Sequence, residues 1–191
     1  AVNLNPSTTE AYALLASVYS KQRDFTSAIT AFNKVIELDP SRAEGYFGLG
    51  EIYSRMQRWS DAVAALEKGV SLNSANKEAL FNIGSAYEEL RDFAKAADAY
   101  ERYLNAKPEI AWNAYLRLGI CRMELGQYDK AIAALEEAQK GQPRNIDVNY
   151  RLAQAYEKAG QLEKAQAAYE NLASLNPSEA ATYYGRIVIM Y

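Results

Sequence analysis

All five prolines of this 191-residue chain stand in one column of a repeating pattern, and no other feature restricts the fold as tightly. They are Pro6, Pro40, Pro108, Pro143 and Pro177, separated by 34, 68, 35 and 34 residues. The period is therefore 34, with one vacancy at Ser74 and one single-residue insertion between Pro108 and Trp112. Such a period implies a stack of small units, each burying its apolar face against its neighbours instead of in one central core.

Within each period the apolar residues recur twice at helical spacing, with a short polar break between, which predicts two antiparallel helices per unit. Two columns hold only small residues: Ala16, Gly50, Gly84, Gly119 and Ala153 in the first helix, and Ala28, Ala62, Ala96, Ala131 and Ala165 in the second. Anything larger there would push the helices apart. Two bulky columns fit into that contact, Phe25, Trp59, Phe93, Tyr128 and Leu162, and Phe32, Leu66, Tyr100, Leu135 and Tyr169. Gly126 and Gly160 stand at the turns between helices, where a left-handed residue suits a helix end, and Arg23, Gln57 and Arg91 stand there in the first three units. Ser7-x-x-Glu10 and Ser41-x-x-Glu44 fit capping boxes at helix starts.

The segment from Leu80 to Pro108 carries Ile83-Gly84, then Tyr87, Ala96, Tyr100 and Pro108 in order. This arrangement resembles the tetratricopeptide repeat (TPR) family, whose pattern it follows in order, with Leu80 for the leading tryptophan, Ile83 for its leucine and Tyr100 for its phenylalanine. The resemblance covers essentially the whole chain. It implies an all-α, right-handed superhelical solenoid of antiparallel helix hairpins. Counted from the family's first position, the repeats run 9–42, 43–76, 77–110, 112–145 and 146–179, in a single array. Residues 1–8 resemble the close of a preceding repeat, since AVNLNP parallels VIELDP at Val35–Pro40. Residues 181–191 open a sixth, in the register that sets Ile187 and Tyr191 where Leu152 and Tyr156 stand. The chain reads as a fragment of a larger array.

A net charge of −3 and a pI near 5.2 argue against nucleic-acid binding through a general basic surface. There is no histidine, which removes the commonest general base and metal ligand. A single cysteine, Cys121, excludes an internal disulfide framework. It falls in the column of Val18, Ile52, Ala86 and Ala155, which the pattern places inside. No apolar stretch is long enough to span a membrane, so no membrane insertion is expected. No phosphate loop, zinc-type cysteine pair or catalytic constellation stands out, and carboxylates such as Glu88 and Glu89 read as a solvated face. No cofactor and no metal site follow from these residues. Nothing names a compartment; cytoplasmic is the default.

In this family the first helices line a concave groove where partners lie. Three columns of this chain face it. One, Ala13, Phe47, Phe81, Leu116 and Tyr150, is apolar and aromatic, and reads either as packing against the adjacent repeat or as a hydrophobic binding surface. The next, Leu14, Gly48, Asn82, Arg117, Arg151 and Arg186, ends in an arginine ladder suited to forked hydrogen bonds with carboxylates, or to plain solvation. The third, Glu10, Glu44, Glu78, Asn113 and Asp147, complements helix dipoles. The candidate partner-binding residues are Phe47, Glu51, Phe81, Asn82, Leu116, Arg117, Tyr150, Arg151, Gln154 and Arg186.

The carboxylate clamp by which one subclass holds chaperone C-termini is not matched. Repeats one to three put Ala13, Ser17, Gly48, Glu78 and Asn82 at its places, and repeats two to four keep only Asn82 and Arg117. The asparagine ladder of the O-linked N-acetylglucosamine transferase repeats is met only by Asn82. What the resemblance implies is a non-catalytic protein-interaction scaffold whose partner is a protein or peptide segment, apolar with acidic flanks. Two alternatives stand beside it. One is an assembly element that self-associates through its terminal helices, since the tail Ile187 to Tyr191 is apolar. The other is a regulatory or substrate-recruiting segment of a larger enzyme.

Overall fold

The computed structural model describes residues 6–191, with side chains from Thr8 onward. The expected close of a preceding repeat in AVNLNP, and the Ser7 side chain of the first capping box, lie outside the described residues. Among the described residues every regular element is helical. The chain divides into two compact units, one up to Asp92 and one over Phe93–Tyr191.

The first unit holds α1 (Pro6–Lys21), α2 (Phe25–Leu38), α3 (Ala43–Arg55), α4 (Trp59–Leu72) and α5 (Lys77–Glu89). Each helix packs on the next, and α1 also touches α3. The second unit holds α6 (Phe93–Asn105), α7 (Trp112–Glu124), α8 (Tyr128–Gly141), α9 (Ile146–Lys158), α10 (Leu162–Leu175) and, after a 3-10 turn at Pro177–Glu179, α11 (Ala180–Met190). Sequential packing recurs there, and α7 touches α9. The second helix of each hairpin begins at the bulky column, at Phe25, Trp59, Phe93, Tyr128 and Leu162.

The small columns are small because backbone meets side chain at them. A Cβ added at Gly50 would lie 2.4 Å from Leu66 Cγ, and one at Gly119 would lie 2.5 Å from Leu135 Cγ. Ala28, Ala62, Ala96, Ala131 and Ala165 are all fully buried. The turns between paired helices are left-handed throughout: φ is 62° at Arg23, 58° at Gln57 and Arg91, 69° at Gly126 and 72° at Gly160. Three non-glycine residues thus sit where an L side chain is strained. The inserted residue near Pro108 gives a longer connection, with Lys107 also left-handed at φ 51°. There the Tyr103 hydroxyl donates to the Ile110 carbonyl at 3.3 Å.

The capping expectation at Ser41 needs correction. Before α3 the Ser41 hydroxyl and amide both donate to Asp39 Oδ1, at 2.7 and 3.1 Å, so Ser41 closes a local turn. Arg42 stands at the N-cap without a side-chain bond. The side-chain caps seen are Asp24, Asn76 and Asn145, which accept from the amides of Ser27, Ala79 and Val148. Each reaches the third amide of its helix, the bond that defines a cap.

Cys121 is fully buried, together with Ile52 and Ala155 of its column. Val18 departs from that column, being 49% exposed. Ile52 is covered because it clusters with Ala28, Ala31 and Phe32 of α2. Among the described residues no helix takes that place over Val18.

Candidate functional site

The first helices carry the candidate groove face, and in each unit two of them frame a hollow. In the first unit the hollow lies between α1 and α3 and has a volume of about 560 Å3. Its floor is Ala13 and Phe32, and its rim carries Glu10, Glu44 and Glu51 against the single cation Arg42. Gly48 makes room for the floor, since a Cβ there would meet the Phe32 ring at 2.2 Å. Two of the rim carboxylates are already engaged, Glu51 with Arg55 at 2.6 Å and Glu44 with Arg42 at 3.5 Å. Leu14 is 69% exposed beside them.

In the second unit the corresponding hollow lies between α7 and α9 and measures about 310 Å3. Its sign is reversed, because Arg117 and Arg151 both line it, with Asp147 as its only carboxylate. Trp112, Leu116 and Ile120 give it an apolar side. The Arg151 Nε donates to Asp147 Oδ1 at 3.3 Å, one helical turn away.

The third arginine of the ladder serves a different network. Arg186 on α11 lies 3.7 Å from Glu157. A hydrogen bond with the Tyr150 side chain, and then the Glu157 carboxylate, hold its pKa above the ordinary arginine value. Glu157 also accepts a 2.7 Å bond from the buried Tyr169 hydroxyl. Burial first, and then this carboxylate, push the Tyr169 pKa well above the usual tyrosine value. The Tyr150 ring meets Tyr169 edge-on, with centroids 6.4 Å apart, and Tyr183 at 6.3 Å. Arg186 is partly exposed.

The apolar stripe is largely consumed by packing. Leu116 is buried, in a cluster with α8 and α9, and reaches the hollow only as floor. Phe47 is half-buried, and a Cβ at Gly69 would meet its ring at 2.5 Å. Tyr150 is half-buried between its two tyrosine neighbours. Phe81, Asn82 and Gln154 are half-buried as well, and line neither hollow. Phe47, Leu116 and Tyr150 thus each spend part of their side chain on intramolecular contacts. Of the residues lining the two hollows, Ser17, Phe32, Arg42, Trp112, Ile120 and Asn145 lie outside both the candidate set and the three groove columns. Trp112 directly precedes Asn113, and Arg42 and Asn145 stand two residues before Glu44 and Asp147, so the column at the helix start is the signal that points to those three.

Asn149 is a buried amide with every polar atom engaged. It donates to the carbonyls of Pro143 at 2.9 Å and Asn145 at 2.8 Å, and accepts from Gln139 at 2.7 Å. Tyr46 takes the same place in its own repeat, donating to the Pro40 carbonyl at 3.3 Å. The role of both is to pin the proline connection. Among the described residues no cluster of His, Cys, Asp and Glu could hold a metal ion, and no helix is long and apolar enough to cross a membrane.

Comparison with known proteins places this geometry. Family models described as tetratricopeptide repeats match residues 52–109 and 122–185, and one described as a TPR repeat matches residues 21–57. No curated protein matches in sequence. Among solved structures, one titled "Crystal structure of MamA protein" shares 28% identity over 93% of this chain and 96% of that one, with a TM-score of 0.83. A second, "MamA AMB-1 P212121", shares 21% identity over 91% of this chain and 94% of that one, at a TM-score of 0.80. A third, "Crystal structure of YrrB: a TPR protein with an unusual peptide-binding site", shares 21% identity over 92% and 90%, at 0.82. The all-α solenoid of helix hairpins expected from the spacing is thereby established, and the chain belongs to the tetratricopeptide repeat family.

Proposed function

We propose that this chain is a non-catalytic scaffold that binds a segment of a protein partner along the groove face of its first helices. Membership of a family of protein-interaction repeats supports the class. One observation carries the finer reading: Arg117 and Arg151, from α7 and α9, line one hollow beside the apolar side chains of Trp112 and Ile120. Two guanidinium groups there suit the carboxylates of an acidic partner segment, with an apolar partner residue beside them. The carboxylate-rimmed hollow of the first unit favours no such segment, so acidic contacts fall to the second.

The test compares wild type with Arg117→Glu, Arg151→Glu after matching their thermal midpoints. Partners captured from source lysate by wild type at low salt are identified by mass spectrometry, and their affinities are then measured. The reading expects at least a tenfold loss, since charge-assisted bonds contribute about 1.5–3 kcal/mol each. Unchanged affinity at low salt would refute it.

A second reading, an assembly element that associates through its terminal helices, is favoured by a separate observation. Val188 and Ile189 on α11 are 76% and 79% exposed, and Leu14 on α1 is comparably bare. Surfaces of this kind are usually covered in a working protein.

A further inference from the structure

The α7–α9 hollow is lined by two guanidinium groups and one carboxylate, Arg117 and Arg151 against Asp147, so it carries a single positive charge in excess. The carboxylate appears in one repeat and not in the other. Asn113 stands 34 residues before Asp147, at the equivalent place, and lines the same hollow without a charge. Each of these two side chains lies one helical turn before an arginine of the ladder.

The contact between Asp147 and Arg151 is a weak structural tie. It is 3.3 Å long and both side chains are exposed, a setting in which ion pairs contribute little to stability. It uses Nε, one of the five N–H donors of the guanidinium. Among the described residues the two terminal nitrogens of Arg151 make no hydrogen bond, so a forked acceptor can meet that edge. Nor does α9 depend on Asp147 for its cap, since Asn145 accepts from the Val148 amide at 3.1 Å. What Asp147 changes most is the charge that a ligand meets.

Resting on the groove reading above, we infer that Asp147 is a selectivity residue, which fits the hollow to one carboxylate of the partner segment and against a phosphorylated side chain. One glutamate or aspartate cancels the excess charge. A phosphoserine carries about −1.5 to −2 at neutral pH and leaves a negative charge uncompensated beside Trp112 and Ile120. It also meets Asp147 with nearly double the repulsion. An anion on the terminal edge of Arg151 stands on the order of 6 Å from the Asp147 carboxylate. In water-like surroundings at low salt, repulsion at that distance lowers affinity about threefold per unit of ligand charge. Because the energy scales with ligand charge, the factor for a dianion is the square of that for a monoanion, about tenfold. A purely structural role for Asp147 would change both ligands by one factor.

The test uses the 191-residue chain as wild type, Asp147→Asn and Asn113→Asp, with thermal midpoints verifying that each is folded. The probes are end-capped peptides, otherwise uncharged, with glutamate, phosphoserine or serine between leucines at the centre. Binding is followed at neutral pH and low salt through the indole N–H signal of Trp112, one of two tryptophans, in nitrogen-15-labelled protein. Wild type is expected to take the glutamate peptide at least as tightly as the phosphoserine peptide. Asp147→Asn should gain about threefold for the first and about tenfold for the second. Asn113→Asp, which adds a second carboxylate, should weaken both, the phosphoserine peptide more; it carries the test alone if Asp147→Asn melts early. Equal factors for the two anionic peptides, no change in either, or a wild type that prefers phosphoserine would overturn the inference. The groove reading survives those outcomes if Arg117→Glu, Arg151→Glu still loses the glutamate peptide. A glutamate peptide that binds wild type no better than the serine peptide, or binds that double variant as tightly as wild type, overturns both.

Discussion

Two glycines, Gly119 and Gly126, should both resist substitution, and for opposite reasons that one experiment can separate. At Gly126 φ is +69° and an added Cβ would meet nothing within 4 Å. The cost of Gly126→Ala is then backbone strain alone, roughly 1–2 kcal/mol for a left-handed L residue. Reduced freedom of the unfolded chain offsets about 0.4–1 kcal/mol of it. The net loss should be about 1 kcal/mol. At Gly119 the backbone is helical and alanine would gain about 1 kcal/mol in propensity. Its Cβ, however, would lie 2.5 Å from Leu135 Cγ and 2.8 Å from Cδ2. Leu135 is fully buried and cannot swing away, so overpacking of about 1–3 kcal/mol offsets that gain or exceeds it. The discriminating step is a second substitution, Leu135→Ala, which alone should cost about 2–5 kcal/mol. In its background Gly119→Ala should become stabilising, a coupling of about 1–3 kcal/mol. Gly126→Ala should cost the same with or without it. Urea midpoints followed by far-ultraviolet circular dichroism supply the four-cornered cycles, with midpoints compared directly because repeat arrays can depart from two-state unfolding. Equal coupling of both glycines to Leu135, or none for Gly119, would refute the division between steric and conformational glycines.

The converse substitution, Gln57→Gly, should stabilise, because Gln57 holds φ 58° at the equivalent turn; the gain should be about 0.5–1 kcal/mol, a rise of roughly 1–4 °C in Tm, and an unchanged or lowered midpoint would contradict the strain. Tyr156 donates to Glu136 at 2.7 Å, and burial, then this carboxylate, push its pKa from 10.0 up to about 12. A raised folded pKa means stability that is complete below the unfolded pKa and declines as pH climbs from 10 through the folded value, by up to about 2–3 kcal/mol. Tyr156→Phe should be less stable at neutral pH yet flatter between pH 10 and 12, and parallel pH profiles for the two proteins would sink the assignment. Asn149→Ala removes the partner of the Pro143 carbonyl and of the Gln139 amide, and should cost about 2–3 kcal/mol; a variant that melts with wild type would show that water replaces both bonds at no cost.

The legible part of this fold is the part in which every repeat faces the same constraint. Proline spacing marks the connections, and small columns mark where helix meets helix, because a 2.4 Å clash at Gly50 is as forbidding as one at Gly119. Turn conformation was legible only by alignment: Gly126 and Gly160 advertise positive φ, whereas Arg23, Gln57 and Arg91 show it only by sharing their column. The caps misled because Ser-x-x-Glu is a local motif that several local hydrogen bonds can satisfy. At Ser41 the hydroxyl had a nearer acceptor in Asp39. Val18 was read as buried from its column, and its exposure follows from which neighbours are present, a property no column contains.

The groove residues were the least legible, and the arginine ladder shows why. Spacings of 34 and 35 put Arg117, Arg151 and Arg186 at equivalent positions, and equivalence fixes a direction but not a role. The residue one turn earlier differs among the three. That residue is Asp147 for Arg151, which it binds at 3.3 Å. It is the uncharged Asn113 for Arg117 and Thr182 for Arg186. Arg186 instead reaches across to Glu157, a carboxylate already claimed by Tyr169. The three rungs are therefore not interchangeable sites for an acidic partner. Arg117 and Arg151 share a hollow whose positive charges outnumber its single carboxylate, while Arg186 lies beside Glu157 of α9. Substituting Arg186 should loosen α11, and substituting Arg117 with Arg151 should alter the charge that a partner meets.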